Sequence, residues 1–460
     1  MQIQKVFFSF IVFFCCSANI SSAITVKDIP NPKHMQLYGK EIRVGQKSTI
    51  TVHTELRKNY KSAVESFEKS LAYLTNIEDN KPVFIHVLTQ QIKESLPHNI
   101  ISLLAKSESY LIEIKNNGIR IIGSDNLGAL HGMATLEKIL IDNKGILPQG
   151  QIIDWPDHKI RALHLTIADG LRPDNIKDFI IKARFDHYNT LILLLKDAIE
   201  FDSAKGITRK KAPWTKKELA DVVQFARENG LEVVPEISLL TQQQRFLKNT
   251  YPHLMYNKST YDPGKEETYQ LVFSIIDELV NLIHPKALHI GHDEVAGFNS
   301  DSRAKWLGKS ESVLPPELFL HDVKRLYTYL KDKGIETWMW GDMLLAPHEF
   351  PEMEQHHLHG INGYASLRNK IPAEVVICDW HYFGKTTEFL SSLAFAMAGH
   401  RVLGATYINE NIIRSFSRYV ARMPKGGEGM IATVWAYVIR DKDLAIRVIN
   451  KSAEAFWNAR

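Results

Sequence analysis

The sequence predicts an α/β protein: a (β/α)8 TIM barrel preceded by a small α+β domain. Three observations lead there. Beyond Asp154, short β-rich runs alternate with longer helical ones, the rhythm of βα units around a parallel sheet. Eight such runs fall within about 300 residues, the scale of a closed eight-stranded barrel. Ahead of them, residues 24–150 carry strands and helices of their own, and a chain of 460 residues has room for more than one core. An open doubly wound sheet gives the same periodicity, because a pattern along single strands does not show closure.

In order, residues 1–23 read as a signal peptide. Lys5 precedes an apolar run from Val6 to Cys16, and Ser21-Ser22-Ala23 supplies small residues for cleavage. The run is too short for a transmembrane anchor, so export to a periplasm or the outside is expected. Two of the three cysteines lie in this segment, which leaves Cys378 alone and no internal disulfide. Residues 24–45 are polar with Pro30 and Pro32 and read as an extended lead-in. A strand follows at 48–53, then a helix at 60–74 with Ala63, Phe67, Leu71 and Leu74 at helical spacing. Residues 83–88 read as a strand. Residues 110–114 and 118–123 form a hairpin across Asn116-Asn117-Gly118, and 127–141 a helix. The eight barrel runs, 151–460, are 161–168, 190–197, 232–237, 287–295, 336–343, 375–381, 401–407 and 430–437. Helical stretches such as 214–229 and 317–333 separate them, the latter closed by Gly334.

Composition excludes several classes of function. The net charge of +4 and the absence of a dense basic stripe give no reason for a nucleic-acid or membrane partner. No HExxH, clustered Cys/His, GxSxG or phosphate-loop motif is present, so no metal or cofactor is expected.

One stretch stands out: Ala287-Leu288-His289-Ile290-Gly291-His292-Asp293-Glu294-Val295. An apolar strand ends in two adjacent carboxylates, with the loop 297–301 beyond. Carboxyls sharing a partly dry site are driven apart into one acid and one anion, the division of labour that glycoside hydrolysis needs. An isolated Asp-Glu pair is more often a surface cap, so the surroundings decide. Barrels of this kind carry their chemistry at the C-terminal strand ends. Those ends offer Asp197, Glu236, Trp340, Asp342, Asp379, Trp380, His381, Tyr407, Asn409, Trp435 and Tyr437, while the first strand opens with Arg161. Acids among several aromatics have the composition of a sugar site. His289 reads as a core residue or a support to the dyad.

At this point the chain resembles the family 20 glycoside hydrolases, the β-N-acetylhexosaminidases, over nearly its whole length after residue 23. The strand-four signature His-x-Gly-x-Asp-Glu is His289-Ile290-Gly291-His292-Asp293-Glu294. Trp155-Pro156, Arg161-Ala162-Leu163, Asn189, Asp197, Val234-Pro235-Glu236, Trp340, Trp380, Tyr407, Asn409 and Trp435 support it. The resemblance implies exo-acting, retaining, substrate-assisted release of terminal β-linked N-acetylhexosamine from glycans or oligosaccharides. Glu294 would be the acid and base, and Asp293 would orient the acetamido group. Tyr407 would bond the acetamido oxygen, and Trp340, Trp380 and Trp435 would wall the pocket. Arg161 would hold the sugar hydroxyls, with Asp197 behind the acid. Three departures stand out. Ile192 and Leu194 occupy positions where the family has histidines, Gln242 stands where a further histidine is usual, and Tyr437 replaces a hydroxyl-binding glutamate. Two alternatives therefore stay open: a non-catalytic carbohydrate-binding barrel, and a hydrolase for a different amino sugar.

Overall fold

A computed structural model describes residues 29–45, 47–74, 82–89, 98–209, 211–244, 246–295, 307, 311–435 and 440–460. The segment read as a signal peptide, the loop 297–301 and Tyr437 lie outside the described residues.

The N-terminal part is a six-stranded sheet: β1 (His34–Arg43), β2 (Thr49–Val52), β3 (Phe84–Thr89), β4 (Tyr110–Lys115), β5 (Gly118–Gly123) and β6 (Ile146–Asp154), in the order β1-β6-β4-β5-β3-β2. The hairpin across Asn116-Asn117-Gly118 is β4–β5. The lead-in differs from expectation. It is the edge strand β1, antiparallel to β6, and it is largely exposed, so no apolar alternation announces it. The helix Asn126–Asp142 buries Leu130, Met133, Leu136 and Leu140 against this sheet.

The eight later runs close into a parallel barrel: β7 (Ile160–Thr166), β8 (Thr190–Leu194), β9 (Glu232–Leu239), β10 (Ala287–Gly291), β11 (Glu336–Trp340), β12 (Val376–Trp380), β13 (Val402–Thr406) and β14 (Gly427–Thr433), with β14 pairing back to β7. Helices and strands share one large apolar core outside the barrel wall. Inside it, Ala162, Ile192, Val234, Trp338, Cys378, Leu403 and Ile431 fill the lumen, so the barrel is packed rather than open. Among the described residues, no helix is long and apolar enough to cross a membrane.

The small domain sits against the N-terminal end of the barrel. Trp457, at the end of the last helix (Lys442–Trp457), belongs to the core of the small domain and donates its indole N–H to Asp154 (2.8 Å). Lys33 Nζ bonds the carbonyls of Trp155 (2.7 Å) and Trp457 (2.8 Å), and the Asn31 amide bonds Glu454 (2.8 Å). The two ends of the described chain are thus tied together.

Candidate active site

The mouth of the barrel is built from strained backbone. Of the twelve non-glycine residues with left-handed φ among the described ones, Lys196, Leu240, Gln242, His292, Glu294 and Trp435 lie just beyond the C-terminal ends of barrel strands. Each such residue costs on the order of 1–2 kcal/mol, held in place by its surroundings. At the end of β10, Gly291 (φ +76°) lets the strand pass close to β9, where an added Cβ would meet Ser238 Cα at 3.1 Å. His292 then turns outward into the helix layer, where its ring packs on Phe319. Its Nε2 lies 2.9 Å from Asp322, a residue that also accepts bonds from Tyr261 (2.9 Å) and Tyr269 (2.7 Å). This anchor leaves Asp293 and Glu294 facing the mouth, both half-buried.

Both carboxyls hold their protons more tightly than usual. Burial pushes Asp293 up to about 8, with Asp342 and Glu236 adding repulsion. Burial likewise pushes Glu294 up to about 8, and Asp293 beside it adds to the rise. The two titrate as a pair, so the pair retains a proton to alkaline pH. Lys196 pulls both the other way. Below the dyad, Glu236 bonds His164 (2.6 Å) and the Trp340 indole (3.0 Å). Burial raises the Glu236 carboxyl, but His289 and His164 overcome it and bring Glu236 to about 2. Burial lowers His289 to about 4.

Aromatic rings frame the dyad. Trp340 and Trp435 lie 6.1 Å apart, and Trp435 also meets His164 at 4.7 Å. Trp380 donates its indole N–H to Asp342 (3.3 Å) and lies 4.9 Å from Tyr382. Tyr382 in turn meets Tyr407 at 5.4 Å and Trp435 at 6.5 Å. Such rings offer apolar faces and polar edges to one ligand.

Residues 192–402 match glycosyl hydrolase family 20, catalytic domain, and residues 26–155 match its domain 2. The chain belongs to glycosyl hydrolase family 20.

The relatives of this family-20 chain are distant. A lacto-N-biosidase of Bifidobacterium bifidum is 25% identical over 51% of the chain, which spans 22% of that protein's length. A beta-hexosaminidase of Porphyromonas gingivalis is 25% identical over 58% of the chain, which spans 38% of its length. The crystal structure of beta-N-acetylhexosaminidase from Bacteroides fragilis shares the fold with a TM-score of 0.69 at 19% identity, covering 94% of this chain and 91% of that one.

Within the family-20 site, the structure brings Asp293, Glu294, Trp340, Trp380, Tyr407 and Trp435 to one mouth. Asp197 lies three residues past β8, half-buried, with its carbonyl accepting the Arg209 amide (2.9 Å). Two expected residues are not available there. Arg161 opens β7, at the end of the strand away from the mouth. Its guanidinium bonds Glu108, the His158 carbonyl (2.7 Å) and the His187 carbonyl (2.8 Å), and it packs over Trp457. It joins the two domains, and it is not a sugar clamp. Asn409 caps the helix Glu410–Arg422. Its Oδ1 accepts from the amides of Asn411 (3.1 Å) and Ile412 (3.3 Å), and its Nδ2 donates to Gly384 (3.2 Å), so its amide is already engaged.

The site also holds residues that the sequence did not single out for a role. Gln242 Nε2 donates to Asp293 Oδ2 at 2.7 Å, from the position where histidine was expected. Asp342 accepts the Glu294 main-chain N–H at 2.9 Å and lies 2.7 Å from His359 Nδ1 through the same oxygen. Lys196 and Tyr382 complete the surroundings. Gln242 was visible only as a departure from a pattern. His359 sits in the loop after β11, where nothing local signals its partner. Among the described residues, no cluster of three His, Cys, Asp or Glu side chains is arranged to hold a metal ion.

Proposed function

We propose that this protein is an exo-acting β-N-acetylhexosaminidase that releases terminal N-acetylglucosamine or N-acetylgalactosamine with retention of configuration. The observation that carries the reading is the adjacent Asp293–Glu294 pair at the mouth, with proton affinities raised toward 8. A carboxyl that stays protonated near neutral pH can serve as a general acid. In the first step the substrate's acetamido oxygen attacks C1, the bond from C1 to the leaving oxygen breaks, and Glu294 gives its proton to that oxygen. Asp293, held by Gln242, accepts the acetamido N–H and balances the positive charge of the oxazolinium. In the second step water attacks C1, Glu294 takes its proton, and the ring reopens. Tyr407 bonds the acetamido oxygen, and Trp340, Trp380 and Trp435 wall its pocket. With Arg161 outside the site and Asn409 engaged as a cap, other groups at the mouth must hold the sugar hydroxyls. The N-terminal segment read as an export signal supports action on amino-sugar glycans outside the cytoplasm.

The test is hydrolysis of p-nitrophenyl β-N-acetylglucosaminide and its galacto epimer by the purified chain, beside Glu294→Gln. Turnover that the variant loses supports the reading. Absence of turnover on both substrates, with retained sugar binding, overturns it in favour of a binding barrel.

A further inference from the structure

The loop after β11 carries two residues, Asp342 and His359, that meet beside the main chain of Glu294. Asp342 is fully buried, and each of its carboxylate oxygens is used. Oδ1 accepts the Trp380 indole, and Oδ2 accepts both the Glu294 amide (2.9 Å) and the His359 ring at Nδ1 (2.7 Å). One oxygen therefore holds the main chain of Glu294 and the imidazole of His359 together. The His359 amide also donates to the Asp342 carbonyl (3.0 Å), and the next residue is Gly360, whose amide donates to Leu345 (2.7 Å). An added Cβ on Gly360 would meet Leu345 backbone atoms at 2.7 Å, so this loop is seated against its neighbour and the ring is fixed rather than adaptable.

This arrangement answers two needs of Glu294. Its backbone is left-handed (φ +55°), and the bond to Asp342 pins that conformation. Its carboxyl is pressed upward by burial, by Asp293 and by Asp342, and His359 and Lys196 oppose them. A neutral Gln242 is committed to Asp293 and supplies no charge. An acid that gives up a proton in the transition state gains from a group that favours its anion.

We propose that Asp342 and His359 form a positioning pair for Glu294, with Asp342 holding its backbone and His359 stabilising its anion as the proton leaves. The accepting Asp342 oxygen fixes the hydrogen on His359 Nδ1, and orientation of one catalytic partner by a third group is a common device. The inference rests on Glu294 being the acid of the proposed hydrolysis.

The experiment measures kcat and KM for both p-nitrophenyl substrates between pH 4 and 9, with thermal melts, for the full chain, Asp342→Asn, His359→Gln and the double variant. The expected result for His359→Gln is a fall in kcat of about tenfold or more with KM within about twofold. The alkaline limb of kcat/KM should also move up by at least about half a pH unit, because a group favouring the Glu294 anion is gone. The losses of the two single variants should overlap in the double variant rather than multiply. Should His359→Gln fail to fold, His359→Asn keeps a donor toward Asp342 and should show the same shift. A wild-type kcat in the variant, or a fall in rate with an unmoved pH profile, overturns the pair while leaving the hydrolase reading intact. An inactive wild-type chain overturns both.

Discussion

Glu294→Gln should stabilise the protein, and increasingly so as pH rises. In the folded state the Glu294 carboxyl is raised from 4.5 to about 8. Between those limits the folded state keeps a proton that the unfolded chain has released, so folding is penalised progressively as pH rises through that window. At about 1.4 kcal/mol for each pH unit, the whole window sets a ceiling of about 5 kcal/mol. Coupling to Asp293 and partial access to water reduce it, and about 2 kcal/mol at pH 8 is expected. A neutral glutamine removes the penalty and relieves Asp293 of a repelling neighbour. Any packing defect of the amide acts equally at all pH values, so the pH dependence isolates the charge. Scanning calorimetry at pH 4.5, 6 and 8 at constant salt should show the variant near wild type at the lowest pH and about 3 °C higher at the highest. A melting difference that is constant across that range refutes the raised proton affinity on which the acid assignment depends.

Other expectations follow from neighbouring contacts. Arg161→Ala leaves Glu108 buried without its guanidinium and should cost about 3–5 kcal/mol in chemical denaturation, while the folded fraction keeps its KM. Normal stability with a raised KM would instead return Arg161 to the sugar site. Gln242→Ala removes a bond of about 1.5–3 kcal/mol to Asp293 and should lower kcat/KM roughly 10- to 100-fold at pH 6, and an unchanged rate would show that Asp293 needs no such support. Wild-type kcat/KM should fall on the alkaline side as the dyad gives up its last proton near pH 8. A profile flat to pH 10 would contradict Glu294 as the acid.

The barrel was legible because strands covered on both faces are nearly continuous apolar runs, as from Leu191 to Leu195, and because helices separate them at regular intervals. Closure of β14 onto β7 was not legible, since no local pattern encodes it. The edge strand β1 escaped notice for the opposite reason, being exposed and polar along most of its length. In the site, Asp293 and Glu294 were readable because the dyad is contiguous and sits at a strand end. Arg161 was misplaced because a strand has direction: it opens β7, five residues and about 17 Å before Thr166, which faces the mouth end. Asn409 was misread because a residue at a strand-to-helix junction serves the helix first. Gln242 and His359 gain their meaning only from partners 51 and 17 residues away, in contacts that the fold makes.

The tie between Asn31, Lys33 and the last helix has a practical side. Asn31, bonded to Glu454, and Arg460, whose amide donates to Asp157, both lie at the base, across the barrel from Glu294 and the aromatic rings. A tether attached at Arg460 therefore begins on the face opposite the mouth. The protein can be fixed to a bead or a sensor surface with its opening toward solvent, and long glycans can approach without meeting the support.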